Sequence, residues 1–121
     1  MKNNVVKIKS YAFAVRMIRM YKHLSQEKRE FVLSKQVLRS GTSIGANVEE
    51  AAAAISKIDF SSKISIAYKE ARETSYWLRL LYDTGYIDKK SFDSIFKDVE
   101  DICKLLFTIL KSSGRIRSNE Q

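Results

Sequence analysis

Leu38-Arg39-Ser40-Gly41-Thr42-Ser43-Ile44-Gly45-Ala46-Asn47-Val48-Glu49-Glu50-Ala51 is the segment from which the rest of the chain can be worked out. Gly41 and Gly45 are four apart, so a helix puts them on one face. Each costs a helix about 1 kcal/mol relative to alanine, and something must offset that. One reading is close helix–helix packing, helped by Ala46 and Ala51 to Ala54. The other is a glycine-rich anion loop. The loop reading fails on context, since no strand precedes the segment and no lysine stands at the phosphate-loop spacing. The segment is therefore read as a helix that brings a neighbour close.

Working outward, apolar spacing marks four helices. The expected spans are 9–24, 26–55, 59–84 and 88–112, with a frayed basic tail over 113–121. In the first, Phe13, Met17, Met20 and Leu24 form a stripe that Tyr11, Val15 and Ile18 widen. Ser25 is the expected cap of the second, whose seam runs Leu33, Val37, Gly41, Ile44, Val48, Ala51 and Ile55. Unbroken, that helix is ~45 Å long. The third repeats Phe60, Ile64, Ala67, Ala71, Thr74, Leu78 and Leu81 at heptad spacing. Gly85 stops it and Asp88 caps the fourth, with Phe92, Ile95, Val99, Ile102, Leu106 and Ile109 as its seam. Gly114 marks its end. Short connections force antiparallel neighbours, so the expected fold is all-α, an antiparallel up-down-up-down four-helix bundle in one domain.

Composition agrees with that reading. The 121 residues include no proline and only four glycines, and 45% are hydrophobic. One cysteine, Cys103, excludes an internal disulfide and points to a reducing compartment. The N-terminus lacks an apolar run of secretory length, and no stretch approaches the ~20 apolar residues of a membrane span. The expectation is a soluble, cytoplasmic protein with no membrane partner.

The net charge is +8. Residues 1–24 alone hold six bases and no acid. A one-sided basic surface attracts polyanions. The candidate nucleic-acid contacts are Lys9, Arg16, Arg19 and Lys22 on the first helix, with Lys111, Arg115 and Arg117 near the C-terminus. Tyr11 and Tyr21 near that surface are suited to stacking on bases, but packing is the favoured reading for both. An acidic protein partner and a merely solvated face are the competing readings.

Two long segments carry a family resemblance. The segment Leu38 to Ala51 resembles the motif of the four-helix bundle family known as 23S ribosomal RNA intervening-sequence proteins. The run Lys63-Ile64-Ser65-Ile66-Ala67-Tyr68-Lys69-Glu70-Ala71-Arg72-Glu73-Thr74-Ser75-Tyr76-Trp77-Leu78-Arg79 is similar to its second signature. The resemblance extends from about Tyr11 to Leu110. It implies an antiparallel bundle, a ring-like homopentamer and no known enzymatic activity. It also implies kinship with the accessory proteins of diversity-generating retroelements, which bind a reverse transcriptase and nucleic acid through a basic surface. By the same resemblance Arg39, Ser40, Ser43, Asn47 and Glu50 match the first signature, and Lys69, Glu70 and Glu73 the second.

Spacing gives these polar residues a physical role. Asn47 and Glu50 share a helix face, as do Glu70 and Glu73, and Lys69 and Glu73 are four apart. The expectation is a polar network or subunit interface of Arg39, Ser43, Asn47, Glu50, Lys69, Glu70, Glu73 and Trp77. Trp77, Tyr76, Leu80 and Tyr82 also flank the third seam, leaving that helix apolar over most of its circumference and suited to a second subunit.

Catalytic readings are weaker. A di-iron site needs Glu-x-x-His on two helices, and the one histidine is His23. No metal or cofactor is expected. Ser25-x-x-Lys28 matches a nucleophile motif only by letter. Cys103 sits between seam residues with no cation to activate it. The best enzyme alternative is a toxin-type ribonuclease using Arg16 to bind phosphate and His23 to act on the ribose hydroxyl. The main expectation is a non-enzymatic, homo-oligomeric binding scaffold for RNA, DNA or a protein such as a reverse transcriptase, with no catalytic residues.

Overall fold

The computed structural model describes residues 2–113. Four helices follow one another: α1 (Lys2–Gln26), α2 (Leu33–Ala52), α3 (Lys57–Asp83) and α4 (Lys89–Ser112). No strand occurs among the described residues. Each helix packs on its neighbours in sequence, and α4 closes the ring against α1.

Cross-helix contacts establish the directions. Moving up α1, Lys7 meets Glu49, Ser10 meets Gly45 and Met17 meets Gly41, so α2 runs the opposite way. Between α2 and α3, Arg39 reaches Glu73 while Glu50 reaches Lys63. Between α3 and α4, Tyr68 packs on Phe107 and Tyr82 on Phe92. The bundle is up-down-up-down, as the short connections require.

The two glycines do what close packing asks of them. A Cβ built on Gly41 would lie 2.4 Å from Cγ of Met17, and one on Gly45 would lie 3.2 Å from the Ser10 carbonyl oxygen. Ala51 joins them in the core, but Ala46, Ala52 and Ala53 face solvent and add nothing to this contact. The α3 and α4 seams are buried at Ile64, Ala67, Ala71, Thr74, Leu78 and Leu81, and at Ile95, Val99, Ile102, Leu106 and Ile109.

Three expectations about α1 and α2 are corrected. First, α1 begins well before residue 9. Val6 and Ser10 carry its buried face backwards, and the polar Ser10, held by a bond to the Lys7 carbonyl, interrupts the apolar pattern that periodicity follows. Second, Tyr11 and Ile18 do not widen the core stripe. They point away from it, 69% and 45% exposed. Third, Ser25 caps nothing: it lies inside α1 and donates to the Tyr21 carbonyl.

The start of α2 belongs to Glu30. Arg29 turns the chain at φ 55°, a left-handed conformation unusual for a non-glycine residue. The buried Glu30 carboxylate then accepts from the N–H groups of Val32, Leu33 and Ser34, at 3.1, 3.0 and 2.7 Å. These are donors with no partner inside the helix. At 20 residues α2 is about 30 Å long, and it ends before Ile55, which is 94% exposed rather than in the seam. Ser56 and Asp88 cap α3 and α4, accepting from Asp59 N at 3.0 Å and Ser91 N at 2.8 Å. Gly85 ends the α3 turn at φ 85°. The expected stop at Gly114 lies outside the described residues.

Two stability outcomes follow from this geometry. Gly41→Ala gains about 1 kcal/mol of helix propensity but overpacks against Met17. The expected net loss is about 1–2 kcal/mol in a denaturant melt. A gain would mean that Met17 yields and the close approach does not need glycine. Glu30→Ala should cost about 1–3 kcal/mol by leaving buried donors unpaired. Burial alone would raise the Glu30 pKa, but hydrogen bonds from Leu33, Ser34 and Val32 outweigh it, and the pKa falls below the ordinary 4.5. Its contribution is therefore complete above that value and is lost as the pH drops through the lower folded one. Glu30→Gln should flatten this acid dependence in melts between pH 6 and about 3.

Candidate functional site

At the end of the bundle where α1 exits and α4 begins, the chain leaves a cleft of about 590 Å³. Its cationic side comes from Arg16, Arg19 and His23 of α1 and from Lys28 just beyond it. The turn between α3 and α4 supplies Tyr86, Ile87 and Asp88, and Ser91 and Ile95 follow on α4. Met20 completes the apolar wall. The helical pitch explains part of this convergence. Arg16, Arg19 and His23 are three and four apart and share one flank of α1.

The bases on α1 divide into two groups. Arg16 donates to Asp98 at 2.5 Å and to Ser94 at 3.1 Å, and Lys7 lies 3.5 Å from Glu49, so both charges are compensated within the chain. Lys9, Arg19 and Lys22 are exposed and enter no ion pair among the described residues. Lys111 is exposed at the far end of the bundle, and Arg115 and Arg117 lie outside the described residues. The candidate contacts therefore do not all gather in one place. Arg16 and Arg19 line the cleft with His23, while Lys9 borders a shallow groove with Asp101 and Lys104. Tyr11 is open to solvent and Tyr21 is half-buried.

The polar residues of α2 and α3 form a smaller cluster than spacing suggests. Arg39 bridges Glu70 and Glu73, the first at 3.3 Å, and Trp77 Nε1 donates to Glu73 at 2.9 Å. Asn47 and Ser43 bond only to carbonyls of their own helix. Glu50 pairs with Lys63 at 2.8 Å rather than joining Asn47, and Lys69 is exposed. Beneath the Arg39 cluster, Thr74 donates to the buried Ser40 hydroxyl at 2.9 Å, a contact that spacing within one helix could not reveal. Exposed pairs like Arg39–Glu70 are worth about 0–1 kcal/mol, so they set register more than stability.

The outer face of α1 was not foreseen. Ile8, Tyr11, Val15 and Ile18 recur at heptad spacing on the side opposite the core, with Ile8 70% exposed and Val15 half-buried. The α3 aromatics behave differently. Tyr82 stacks on Phe92 at 4.5 Å, and Trp77 is partly buried against the protomer's own core, leaving Tyr76 exposed. Cys103 is buried, and burial together with Glu100 pushes its thiol up to about 11, so it is no nucleophile at neutral pH. No three His, Cys, Asp or Glu side chains converge as metal ligands among the described residues. No helix among them is long and apolar enough to cross a membrane.

Comparison with known proteins places this geometry. A solved structure from Bacteroides thetaiotaomicron VPI-5482, a protein of unknown function from the S23 ribosomal protein family, is 57% identical. The match covers 92% of this chain and 99% of that one, with a TM-score of 0.90. No curated protein is similar enough to count as a match. A family model described as 23S rRNA-intervening sequence protein matches residues 2–108. The resemblance read from the two signatures therefore holds over nearly the whole chain, which belongs to the 23S rRNA-intervening sequence protein family.

Proposed function

We propose that this protein is a non-enzymatic scaffold that assembles with copies of itself and binds nucleic acid through the basic flank of α1. The observation that carries the reading is the outer face of α1. It exposes Ile8, Tyr11 and Ile18 at heptad spacing, on a helix whose Lys9, Arg19 and Lys22 enter no ion pair among the described residues. A helix already packed on its core face and apolar on the opposite one suits a second helix at that seam. The ring of five implied by the family resemblance is the assembly we expect. The bases alongside are suited to phosphate, which neutralises like charges that otherwise repel at three-residue spacing.

A ribonuclease remains the second reading, because Arg16 and His23 share the cleft. Against it, the Arg16 guanidinium is already held by Asp98 and Ser94.

Three outcomes test these readings. Tyr11→Glu with Ile18→Glu should reduce the mass in light scattering to that of a monomer while the helical circular-dichroism signal is kept and the thermal midpoint loses its dependence on protein concentration. An unchanged mass would remove α1 as the assembly seam. Fluorescence anisotropy with a structured RNA and a DNA duplex should show binding that weakens steeply with salt. Lys9→Glu, Arg19→Glu and Lys22→Glu together should flatten the log–log salt slope by about three. Retained binding and slope would move the interface elsewhere, and no binding at low salt would leave the flank to an acidic protein such as a reverse transcriptase. Finally, His23→Ala should leave RNA binding intact. Loss of an RNA-cleaving activity in that variant alone would replace the scaffold with the ribonuclease.

A further inference from the structure

The lining of the cleft between α1 and the α3–α4 turn is of two kinds. One is apolar and carries a ring: Tyr86, Met20, Ile87 and Ile95. The other is cationic. Arg16 is compensated there by Asp98, so the charges available to a ligand are Arg19 and Lys28, neither in an ion pair among the described residues. His23 also belongs to the lining. The Asp88 carboxylate and Ser91 line the cleft as well. Asp88 is occupied in part by capping α4 through Ser91 N.

This arrangement discriminates among anions. Inorganic phosphate alone would gain the cations but leave the apolar wall wet, and it would be repelled by Asp88 wherever it approached α4. A purely apolar ligand would strand the two cations. A ligand that combines a phosphate, a hydroxyl-bearing sugar and a flat apolar ring has a partner for each kind of lining: Arg19 and Lys28 for the phosphate, Asp88 as acceptor for a hydroxyl, and Tyr86 and Ile87 for the ring. The volume of about 590 Å³ lies inside the range typical of small-molecule sites, about 300–1,000 Å³.

We infer that the cleft is a binding site for a nucleoside phosphate, either a free mononucleotide or the phosphorylated end of a strand. The site shares Arg19 with the basic flank of α1 and is otherwise distinct from it. It does not require the strand-binding reading to be true, because Lys28, Tyr86, Asp88 and Ser91 play no part in that reading.

Isothermal titration calorimetry of the full chain with AMP, adenosine and inorganic phosphate tests the inference. AMP should bind at least tenfold more tightly than either fragment. Two variants locate the site. Lys28→Glu reverses an exposed rim charge, and Ser91→Phe fills the space from an exposed position while keeping the backbone N–H that Asp88 accepts. Each should weaken AMP at least tenfold, whereas Lys111→Glu at the other end of the bundle should leave it unchanged. A 5′-phosphorylated and a 5′-hydroxyl oligoribonucleotide then separate the two sources. A preference for the phosphorylated strand that AMP competes away assigns the site to strand ends, and indifference between the two assigns it to the free nucleotide. AMP binding no tighter than phosphate or adenosine overturns the inference, as does AMP binding that survives both cleft variants. If Lys28→Glu abolishes AMP binding while salt-dependent binding of a 5′-hydroxyl strand persists, both sites stand. If the unmutated chain binds AMP but no strand even at low salt, the α1 strand-binding reading falls and this one stands.

Discussion

The close approach of α1 to α2 is the constraint on which the other contacts depend. It is made at two points, where Gly41 faces Met17 and Gly45 faces the backbone of Ser10. Neither point has room for a methyl group without movement. Helix axes held that near leave little freedom in rotation, so the choice of which α1 residues face inward is made here. Val6, Phe13, Met17 and Leu24 go to the core, and Ile8, Tyr11 and Ile18 are left outside. The about 1 kcal/mol that each glycine costs in helix propensity is offset by the contact it permits.

Fixing α1 in this way also fixes its flanks. Arg16, Arg19 and His23 come to lie toward the start of α4, where the α3–α4 turn supplies Tyr86 and Asp88. Gly85 makes that turn possible. Its positive φ lets the chain reverse in a few residues, and Asp88 opens α4 immediately afterwards. A longer connection would carry the aromatic and the carboxylate away from the basic flank. The cleft is thus a consequence of one tight helix pair and one tight turn.

Much of the fold was legible because α3 and α4 each have a single apolar seam. Ile64 to Leu81 and Ile95 to Ile109 repeat at strict spacing, and every one of those seam residues is buried. α1 was less legible for a definite reason. It has two apolar stripes, and periodicity alone cannot say which meets the core, so Tyr11 and Ile18 were assigned inward. Ser10 hid the continuation of the true stripe toward Val6. The start of α2 was hidden as well. Its cap is a glutamate that acts across two to four residues, beside a left-handed arginine, and neither is a usual boundary signal. For the site, the i, i+7 relation of Arg16 and His23 could be read from the chain. Lys28, Tyr86 and Ser91 are brought to them only by tertiary packing.

The distribution of charge then bears on function through what it does not stabilise. Lys7 and Arg16 find carboxylates on neighbouring helices, and such half-exposed pairs contribute about 0–1 kcal/mol each. Lys9 faces Asp101 across a shallow groove without closing an ion pair, and Arg19 and Lys22 enter none among the described residues. Arg19 and Lys22 lie three apart on one helix with no acid near them in sequence, an arrangement that destabilises an isolated helix by a few tenths of a kcal/mol. Folding therefore gains nothing from Arg19 and Lys22 and loses slightly. The same helix also leaves a heptad of apolar side chains in water, which forgoes burial worth about 25 cal/mol per Å². Both deficits sit on α1, whose core face is closed by the glycine contacts, and the proposed assembly and strand binding rest on this contrast between a complete inner face and an unsatisfied outer one.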